Sequence, residues 1–283
     1  MKIAASELIL NQDNSVYHLH LLPEDLGDTV ILVGDQDRVP EVSKHFDRVE
    51  LRKQKREFVT HTGYIGLNRV SVISTGIGTD NIDIVLNELD QLLNIDLATR
   101  ELKSHKRDLS LIRVGTSGAL QSDISVDSIL VSTHGLGLDG LLWYYPHTPM
   151  FELGNLPDQL GLPFVKPYLF EAHPDLMKKF EHGSLKGITA TCQGFYGPQG
   201  RGLRKAIIEP NLPQKLSSVR IGSNRITNFE METAAILGLS NIFGFKATAV
   251  NAILANRINH TFSSNPAAIV EKAIVYTLDS LFG

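Results

Sequence analysis

The chain has 283 residues, 42% of them hydrophobic, and a formal net charge of −4 at pH 7. This composition suits a globular protein with a sizeable core, and the lack of a dense Lys and Arg block argues against nucleic acid as a partner. With no apolar run near the roughly 18 residues that span a bilayer, no signal-peptide pattern and one cysteine, Cys192, we expect a cytoplasmic protein without disulfides or a membrane partner.

Short apolar runs alternate with longer amphipathic runs along the chain, which is typical of an α/β protein. We predict strands over 29–34, 58–65, 70–74, 111–115, 128–138, 186–192 and 246–255, and helices over 39–46, 78–93, 231–244 and from Pro266 onward. The charged stretch 97–109 is predicted as a solvated excursion, and 194–228, rich in Gly, Pro and Arg, as a lid. Because no repeat or linker divides the chain, residues 1–283 are predicted to form a single domain.

Three glycine-bearing turns follow predicted strands, where ligands collect in open α/β sheets. They are 34–38 (Gly-Asp-Gln-Asp-Arg), 74–78 (Ser-Thr-Gly-Ile-Gly) and 113–118 (Arg-Val-Gly-Thr-Ser-Gly). Their N–H groups, two hydroxyls and two arginines suit an anion. Each glycine alone is more simply a turn residue, but three such turns favour an anion site. None is a P-loop or a dinucleotide fingerprint, so free phosphate is favoured over NAD or ATP.

Two further segments suggest a nucleoside. In 195–201 (Phe-Tyr-Gly-Pro-Gln-Gly-Arg), Phe195 could stack on a planar base while Gln199 and Arg201 bond to the edge of an imide such as uracil. Glu230 and Glu232 begin a predicted apolar helix. Carboxylates there often only favour the helix dipole, but buried ones need partners, and a ribose diol would supply two.

Other reactive side chains are interpreted more simply. His18 and His20 are predicted on one face of a strand, and a surface or interface role is favoured over a metal because further ligands are lacking. Cys192 has no assignable base, so a small buried hydrophobe is favoured over a nucleophile.

The ordered motifs resemble those of the uridine phosphorylases, within the nucleoside phosphorylase superfamily. The likeness runs from about Val16 to the C-terminus and includes the turns above, 195–201 and 229–233 (Phe-Glu-Met-Glu-Thr). It implies a single-domain, three-layer αβα fold with a central mixed, partly closed sheet. It also implies reversible phosphorolysis of uridine to uracil and ribose 1-phosphate in pyrimidine salvage, and it leaves open whether deoxyuridine is a second substrate. Inorganic phosphate would be the co-substrate, without another cofactor.

The resemblance also implies residue roles. The phosphate-binding residues would be Gly34, Arg38, Arg56, Arg113, Gly115 and Thr116, with Arg56 serving the neighbouring subunit. The ribose-binding residues would be His18, Glu230, Met231 and Glu232, with His18 crossing to the partner. The base-binding residues would be Ser117, Gly118, Phe195, Gln199, Arg201, Ile253 and Leu254. The catalytic residues among these would be Arg201, Gln199 and Arg113.

Assembly and specificity follow from the same resemblance. Exchange of His18 and Arg56 implies a homodimer as the smallest active unit, with a hexamer as a larger possibility. Glu57, Ile77 and Asn81 match a monovalent-cation site that takes K⁺ in some members, although Asn81 replaces their Ser. Purine-cleaving members carry an Asp where this chain has Ala255, so a pyrimidine is expected. Two alternatives remain open, a nucleoside hydrolase of the same fold and a non-catalytic nucleoside-binding protein.

Overall fold

A computed structural model describes residues 2–104, 107–146 and 153–283. Within them, the strands are β1 (Thr29–Val33), β2 (Arg48–Lys55), β3 (Phe58–Ile65), β4 (Asn68–Ser74), β5 (Ile95–Asp96), β6 (Glu101–Leu102), β7 (Ser110–Ala119), β8 (Ile129–Gly137), β9 (Tyr168–Glu171), β10 (Leu185–Thr191), β11 (Arg220–Ile221), β12 (Asn224–Glu230), β13 (Lys246–Asn256) and β14 (Thr261–Phe262). The α-helices are α1 (Arg38–Ser43), α2 (Thr79–Asn94), α3 (Leu156–Leu160), α4 (Pro174–Lys179), α5 (Leu212–Ser218), α6 (Thr233–Phe243) and α7 (Pro266–Phe282).

One large mixed sheet organises the described residues. Its strand order is β11-β12-β10-β8-β13-β7-β1-β4-β3-β2, with β9 added to β8 and β14 to β13. Strand β12 also pairs with β7, through Asn228 opposite Ala119 and Phe229 opposite Gly118. Strands β12, β10, β8, β13 and β7 therefore close into a five-stranded ring. The predicted mixed, partly closed sheet is confirmed.

Helices cover both faces of the open part of the sheet, as strand β1 shows. Its side chains alternate between faces, so Val30 and Leu32 join the core that contains α2 and α6. Ile31 and Val33 join the core that contains α1 and α7. The predicted three-layer αβα arrangement follows from this alternation. The assignment of 1–283 to a single domain stays a prediction.

Several predicted elements need correction. The segment 194–228 is not one continuous lid as predicted, because it contains α5 and most of β12, whose Asn228 is completely buried in the ring. The predicted helix 231–244 begins at Thr233, with Glu230 ending a strand before it. His18 lies in a turn and not on a strand. The excursion 97–109 contains β6, and its residues 105–106 lie outside the described residues.

Candidate active site

A cavity of about 850 Å³ lies where several strands of the large sheet reach their carboxyl ends. Strands β1, β4, β7, β12 and β13 all contribute residues from their last positions or from the turns that follow. The predicted site residues that line it are Gly34, Arg38, Arg113, Thr116, Ser117, Gly118, Phe195, Gln199, Arg201, Glu230, Met231, Glu232 and Leu254, together with Glu57, Ile77 and Asn81 of the cation prediction. The structure thus brings most of the predicted residues into one place.

Two arginines lie together in the cavity. Arg38 donates to the Val114 carbonyl oxygen over 3.4 Å, and within the described chain segments no carboxylate forms an ion pair with it. Burial, and then repulsion from Arg113, lowers the pKa of Arg38. An anion bound beside both guanidinium groups would relieve that repulsion.

Arg113 is held by two carboxylates in the interior. Its Nη2 lies 2.5 Å from Glu232 Oε2 and 3.1 Å from Glu230 Oε2, and all three side chains are buried. Burial acts to lower the pKa of Arg113, but these two carboxylates outweigh it and raise that pKa. Gly115 keeps the path of the guanidinium open, because a Cβ there would lie 1.9 Å from Arg113 Nη1. Gly115 therefore acts on the cavity through Arg113 and does not line it.

The two carboxylates have different environments. Glu230 accepts hydrogen bonds from the N–H groups of Glu232 and Thr233, so it stabilises the start of α6. Glu232 accepts from Gly78 N over 2.8 Å, and Gly78 aims this N–H group from a φ of 99° that favours glycine. Burial raises the pKa of Glu232 even though Arg113 opposes it. Both carboxylates border the cavity, where they can also accept from sugar hydroxyls.

Gln199, Arg201 and Phe195 form a second compact group in the lining of the cavity. Arg201 Nη1 donates to Gln199 Oε1 over 2.5 Å and to the Phe195 carbonyl oxygen over 2.6 Å. The Arg201 guanidinium carbon also lies 3.8 Å from the centre of the Phe195 ring. The exposed Phe195 ring and the buried Gln199 amide thus present a flat apolar face beside hydrogen-bonding groups.

Arg257 belongs to this group, although the sequence reasoning missed it. It follows β13 and donates to the Gln199 carbonyl oxygen over 3.2 Å. Burial, and then repulsion from Arg257, lowers the pKa of Arg201 to about 10. The only available signal was its place directly after a strand that ends at the cavity. Phe229, Ala255 and Phe262 also line the cavity without having been predicted as contacts.

The prediction that Ile253 binds the base is wrong. Ile253 does not line the cavity but is completely buried in a cluster with Ala119, Ile124 and Leu130. A register shift between Ile253 and Ala255 breaks the alternation of β13 against β7. Leu254 and Ala255 consequently both border the cavity, so the apolar wall lies one residue later than predicted.

His18 and Arg56 lie away from this chain's cavity. The Nδ1 atom of His18 is 2.7 Å from Glu88 Oε1, and Glu88 also accepts from the backbone N–H of His18. Arg56 is exposed in the two-residue turn between β2 and β3, with a φ of 55°. The ring of His18 lies 6.3 Å from that of Phe58, beside the same turn. The two residues thus share one region of the surface.

The predicted cation-binding residues lie around Gly76. A Cβ built on Gly76 would be 2.3 Å from Asn81 Nδ2 and 3.2 Å from Glu57 Cγ, and Ile77 lines the same part of the cavity. Across the described segments, no group of three or more His, Cys, Asp and Glu side chains could hold a metal ion. The same segments contain no helix that is long and apolar enough to cross a membrane.

Comparison with known proteins agrees with this geometry. The chain is 31% identical to a uridine phosphorylase of Thermococcus kodakarensis over 281 residues, covering 98% of this chain and 91% of the relative. It is 29% identical to the uridine phosphorylase of Escherichia coli over 254 residues, covering 86% and 87% of the two chains. A crystal structure of a Trypanosoma brucei nucleoside phosphorylase, described as showing uridine phosphorylase activity, superposes with a TM-score of 0.87 at 29% identity, covering 97% of this chain and 99% of that one. Because residues 28–274 also match the phosphorylase superfamily as a whole, the chain belongs to that superfamily.

Proposed function

We propose that the protein catalyses the reversible phosphorolysis of uridine, giving uracil and ribose 1-phosphate. The observation that carries this proposal is one cavity lined by an arginine pair, by two carboxylates and by an aromatic–amide–guanidinium group. These three features suit phosphate, ribose and a pyrimidine respectively. The uridine phosphorylase names of relatives about 30% identical over most of the chain support the same reaction.

In the proposed reaction, the bond from C1′ of ribose to N1 of uracil breaks and its electron pair moves to the base. A phosphate oxygen then forms the new bond to C1′, which carries positive charge during the exchange, as in glycoside cleavage. Phosphate would be held by Arg38, Arg113 and Thr116, with Gly34 in the same turn as Arg38. It would then lie next to the positive charge at C1′. Proximity of the two reactants supplies a large part of the rate.

Uracil departs as an anion, and we assign to Arg201 the stabilisation of its negative charge. Burial and the neighbouring Arg257 make the positive charge of Arg201 costly, so a developing negative charge on the base relieves that cost. Such an interaction is stronger in the transition state than with bound uridine and therefore accelerates the reaction. Gln199 would orient the base edge, with Phe195 on its face and Ser117, Gly118 and Leu254 around it.

The ribose would lie between these groups. Glu232, with Met231 beside it, would hold the 2′- and 3′-hydroxyls, and Glu230 would contribute mainly through the start of α6. His18 and Arg56 of a partner subunit would complete the 5′-hydroxyl and phosphate contacts, which makes a homodimer the smallest active unit and leaves a hexamer compatible. The proposal also includes this assembly and a single domain over 1–283. It further includes a cytoplasmic location, which agrees with the single, buried and unpaired Cys192.

A monovalent cation such as K⁺ is a further part of the proposal. The Glu57 carboxylate, the Ile77 backbone and the Asn81 amide would supply the oxygen ligands that hard cations prefer. Rates measured in potassium and in tetramethylammonium buffers of equal ionic strength test it. Equal rates would remove the cation from the proposal.

The decisive experiment follows uridine cleavage by absorbance, with and without phosphate, and repeats it with deoxyuridine, thymidine and inosine. We expect turnover of uridine only when phosphate is present, and no cleavage of inosine. Turnover without phosphate would establish the hydrolase alternative. Calorimetry that shows tight uridine binding, together with no uracil release in phosphate, would establish a nucleoside-binding protein instead.

A further inference from the structure

Each of the five strands of the closed ring contributes to one continuous series of buried side-chain hydrogen bonds. The members are Arg113 and Ser117 on β7, Asn251 on β13, Ser132 on β8, Thr189 on β10 and Asn228 on β12. We call these six side chains the polar ring. Four of them, those on the strands other than β7, are 0% exposed. Hydrogen bonds in such an interior are strong and depend on one another.

Arg113 fixes the orientation of the first amide in the polar ring. Its Nη1 donates to Asn251 Oδ1 over 3.2 Å, and a guanidinium can only donate. Asn251 must therefore direct its oxygen to Arg113 and its NH₂ group away from it. The Nδ2 atom of Asn251 lies 3.0 Å from Ser132 Oγ, so Ser132 accepts that bond.

The hydrogen bonds keep the same donor-to-acceptor direction through the hydroxyls of Ser132 and Thr189. Ser132 Oγ lies 2.6 Å from Thr189 Oγ1, which lies 2.9 Å from Asn228 Oδ1. An amide oxygen only accepts, so Thr189 gives its hydrogen to Asn228 and receives the hydrogen of Ser132. Thr227 Oγ1 lies 3.1 Å from Asn228 Oδ1 and 3.0 Å from the Ile188 carbonyl oxygen, so its one hydrogen can go to either acceptor.

The series ends at a hydroxyl that faces the cavity. Asn228 Nδ2 donates to Ser117 Oγ over 2.9 Å, and Ser117 lines the cavity between Thr116 and Gly118. Because Ser117 Oγ accepts from Asn228, its own hydrogen is left to point elsewhere. The side with open space is the cavity, where a ligand oxygen can receive it.

We propose that the polar ring is a positioning network that makes the Ser117 hydroxyl a fixed hydrogen-bond donor to an oxygen of the bound nucleoside. This inference rests on the proposed function for the identity of the ligand. Asn251, Ser132, Thr189 and Asn228 act through Ser117 and Arg113 and do not touch the substrate. A hydroxyl without this network would rotate among several partners, and orienting it again on binding would weaken its contribution.

Thr189→Val tests the middle of the network, since it removes the hydroxyl with little change of shape. We expect kcat/KM for uridine at saturating phosphate to fall about three- to tenfold, the worth of one hydrogen bond. Thr189→Ser, which keeps the hydroxyl, should restore most of that loss. The matched control is Thr248→Val, because Thr248 is equally buried on β13 but, among the residues that the structure describes, its hydroxyl has only contacts of 3.5 Å, to Ser132 O and Met177 Sδ. We expect less than a twofold effect there.

A double-mutant cycle separates positioning from general damage to the ring. In a Ser117→Ala background, Thr189→Val should lower kcat/KM no further, because the group that it orients is absent. An equal loss in both backgrounds, or the same loss in Thr248→Val, would overturn the inference. If Thr189→Val does not fold, Ser132→Ala breaks the same series and enters the same cycle. Failure of the wild-type protein to cleave uridine would instead refute the proposed function, so the two failures are distinct.

Discussion

The two arginines that lie together in the cavity differ in what holds them. Arg113 lies between Glu230 and Glu232 in the interior, so its charge is needed by the protein even without a ligand. Arg38 has only the Val114 carbonyl as a hydrogen-bond acceptor among the residues described here. A charge without an ion-pair partner beside a cavity is the mark of a ligand site, whereas a paired charge also serves the fold.

This difference predicts that replacing Arg38 weakens phosphate binding, whereas the same replacement at Arg113 lowers the stability of the protein. Arg38→Met should raise KM for phosphate by about ten- to a hundredfold, the worth of one charged hydrogen bond, and should leave stability nearly unchanged. Arg113→Met should lower the free energy of unfolding by about 3–5 kcal/mol, because it leaves two buried carboxylates without their cation. Initial rates and urea unfolding measure both. An unchanged KM for phosphate in Arg38→Met would remove this residue from the phosphate site.

Arg201 provides a second test at this scale. Arg201→Ala should reduce kcat/KM for uridine at least about tenfold, since a bond to a charged group contributes roughly 1.5–3 kcal/mol. Arg225→Ala is the control, because Arg225 pairs with Asp123 on the surface and should leave the rate unchanged. Steady-state kinetics at saturating phosphate measures both variants. Wild-type kcat/KM in Arg201→Ala would contradict its assignment to the leaving group.

At the scale of elements, strand β12 both closes the ring and begins helix α6. Glu230, its last residue, accepts from the N–H groups of Glu232 and Thr233. Thr191, at the end of β10, donates to Glu230 and accepts from Ala234 N. The first N–H groups of α6, which lack partners within the helix, are thus satisfied by two neighbouring strands. These bonds hold Glu230, one of the carboxylates proposed to face the ribose, where the two strands meet the helix.

Glu230→Gln tests the junction. The amide keeps one acceptor but loses the charge that favours the helix start and pairs with Arg113, so we expect a loss of about 1–3 kcal/mol of stability. Glu41→Gln is the control, since Glu41 is exposed and pairs only with Lys44 among described residues, which predicts a loss below about 1 kcal/mol. Urea unfolding monitored by circular dichroism gives both values. Equal losses would show that the charge of Glu230 is not needed there.

The elements also show why parts of the fold and site were predictable and others were not. Strands β1 and β3 are apolar and bounded by turn residues, and both were predicted close to their observed bounds. Strand β12 was missed because Thr227 and Asn228 are polar but completely buried, which the usual apolar pattern does not anticipate. Ile253 was misplaced because a register shift changes which side chains face the cavity. Long-range pairing decides both features, and it leaves no local pattern.

At the scale of the whole molecule, the arrangement of the surface favours a shared active site. Lys55, at the end of β2, places its Nζ 4.2 Å from the centre of the Tyr17 ring and donates to Asn11 Oδ1. These contacts tie the turn that carries Arg56 to the segment that carries His18. Two residues expected to serve a partner's cavity therefore lie together on one face, outside their own cavity. A two-fold dimer would present this face to the partner twice, by symmetry.

Mixing two impaired variants, assayed at phosphate well below the wild-type KM, tests this shared site. Arg56→Ala and Arg201→Ala should each keep at most about a tenth of wild-type activity alone, because each removes a charge from every site. After dissociation and reassociation in equal amounts, about half of the dimers contain one of each chain, and one of their two sites has both arginines. About a quarter of wild-type activity should therefore return. The control pair, Arg38→Ala with Arg201→Ala, removes two residues of the same chain's cavity, so it leaves no intact site and should recover nothing. Recovery by the control pair, or none by the test pair, would show that Arg56 does not act across a subunit boundary.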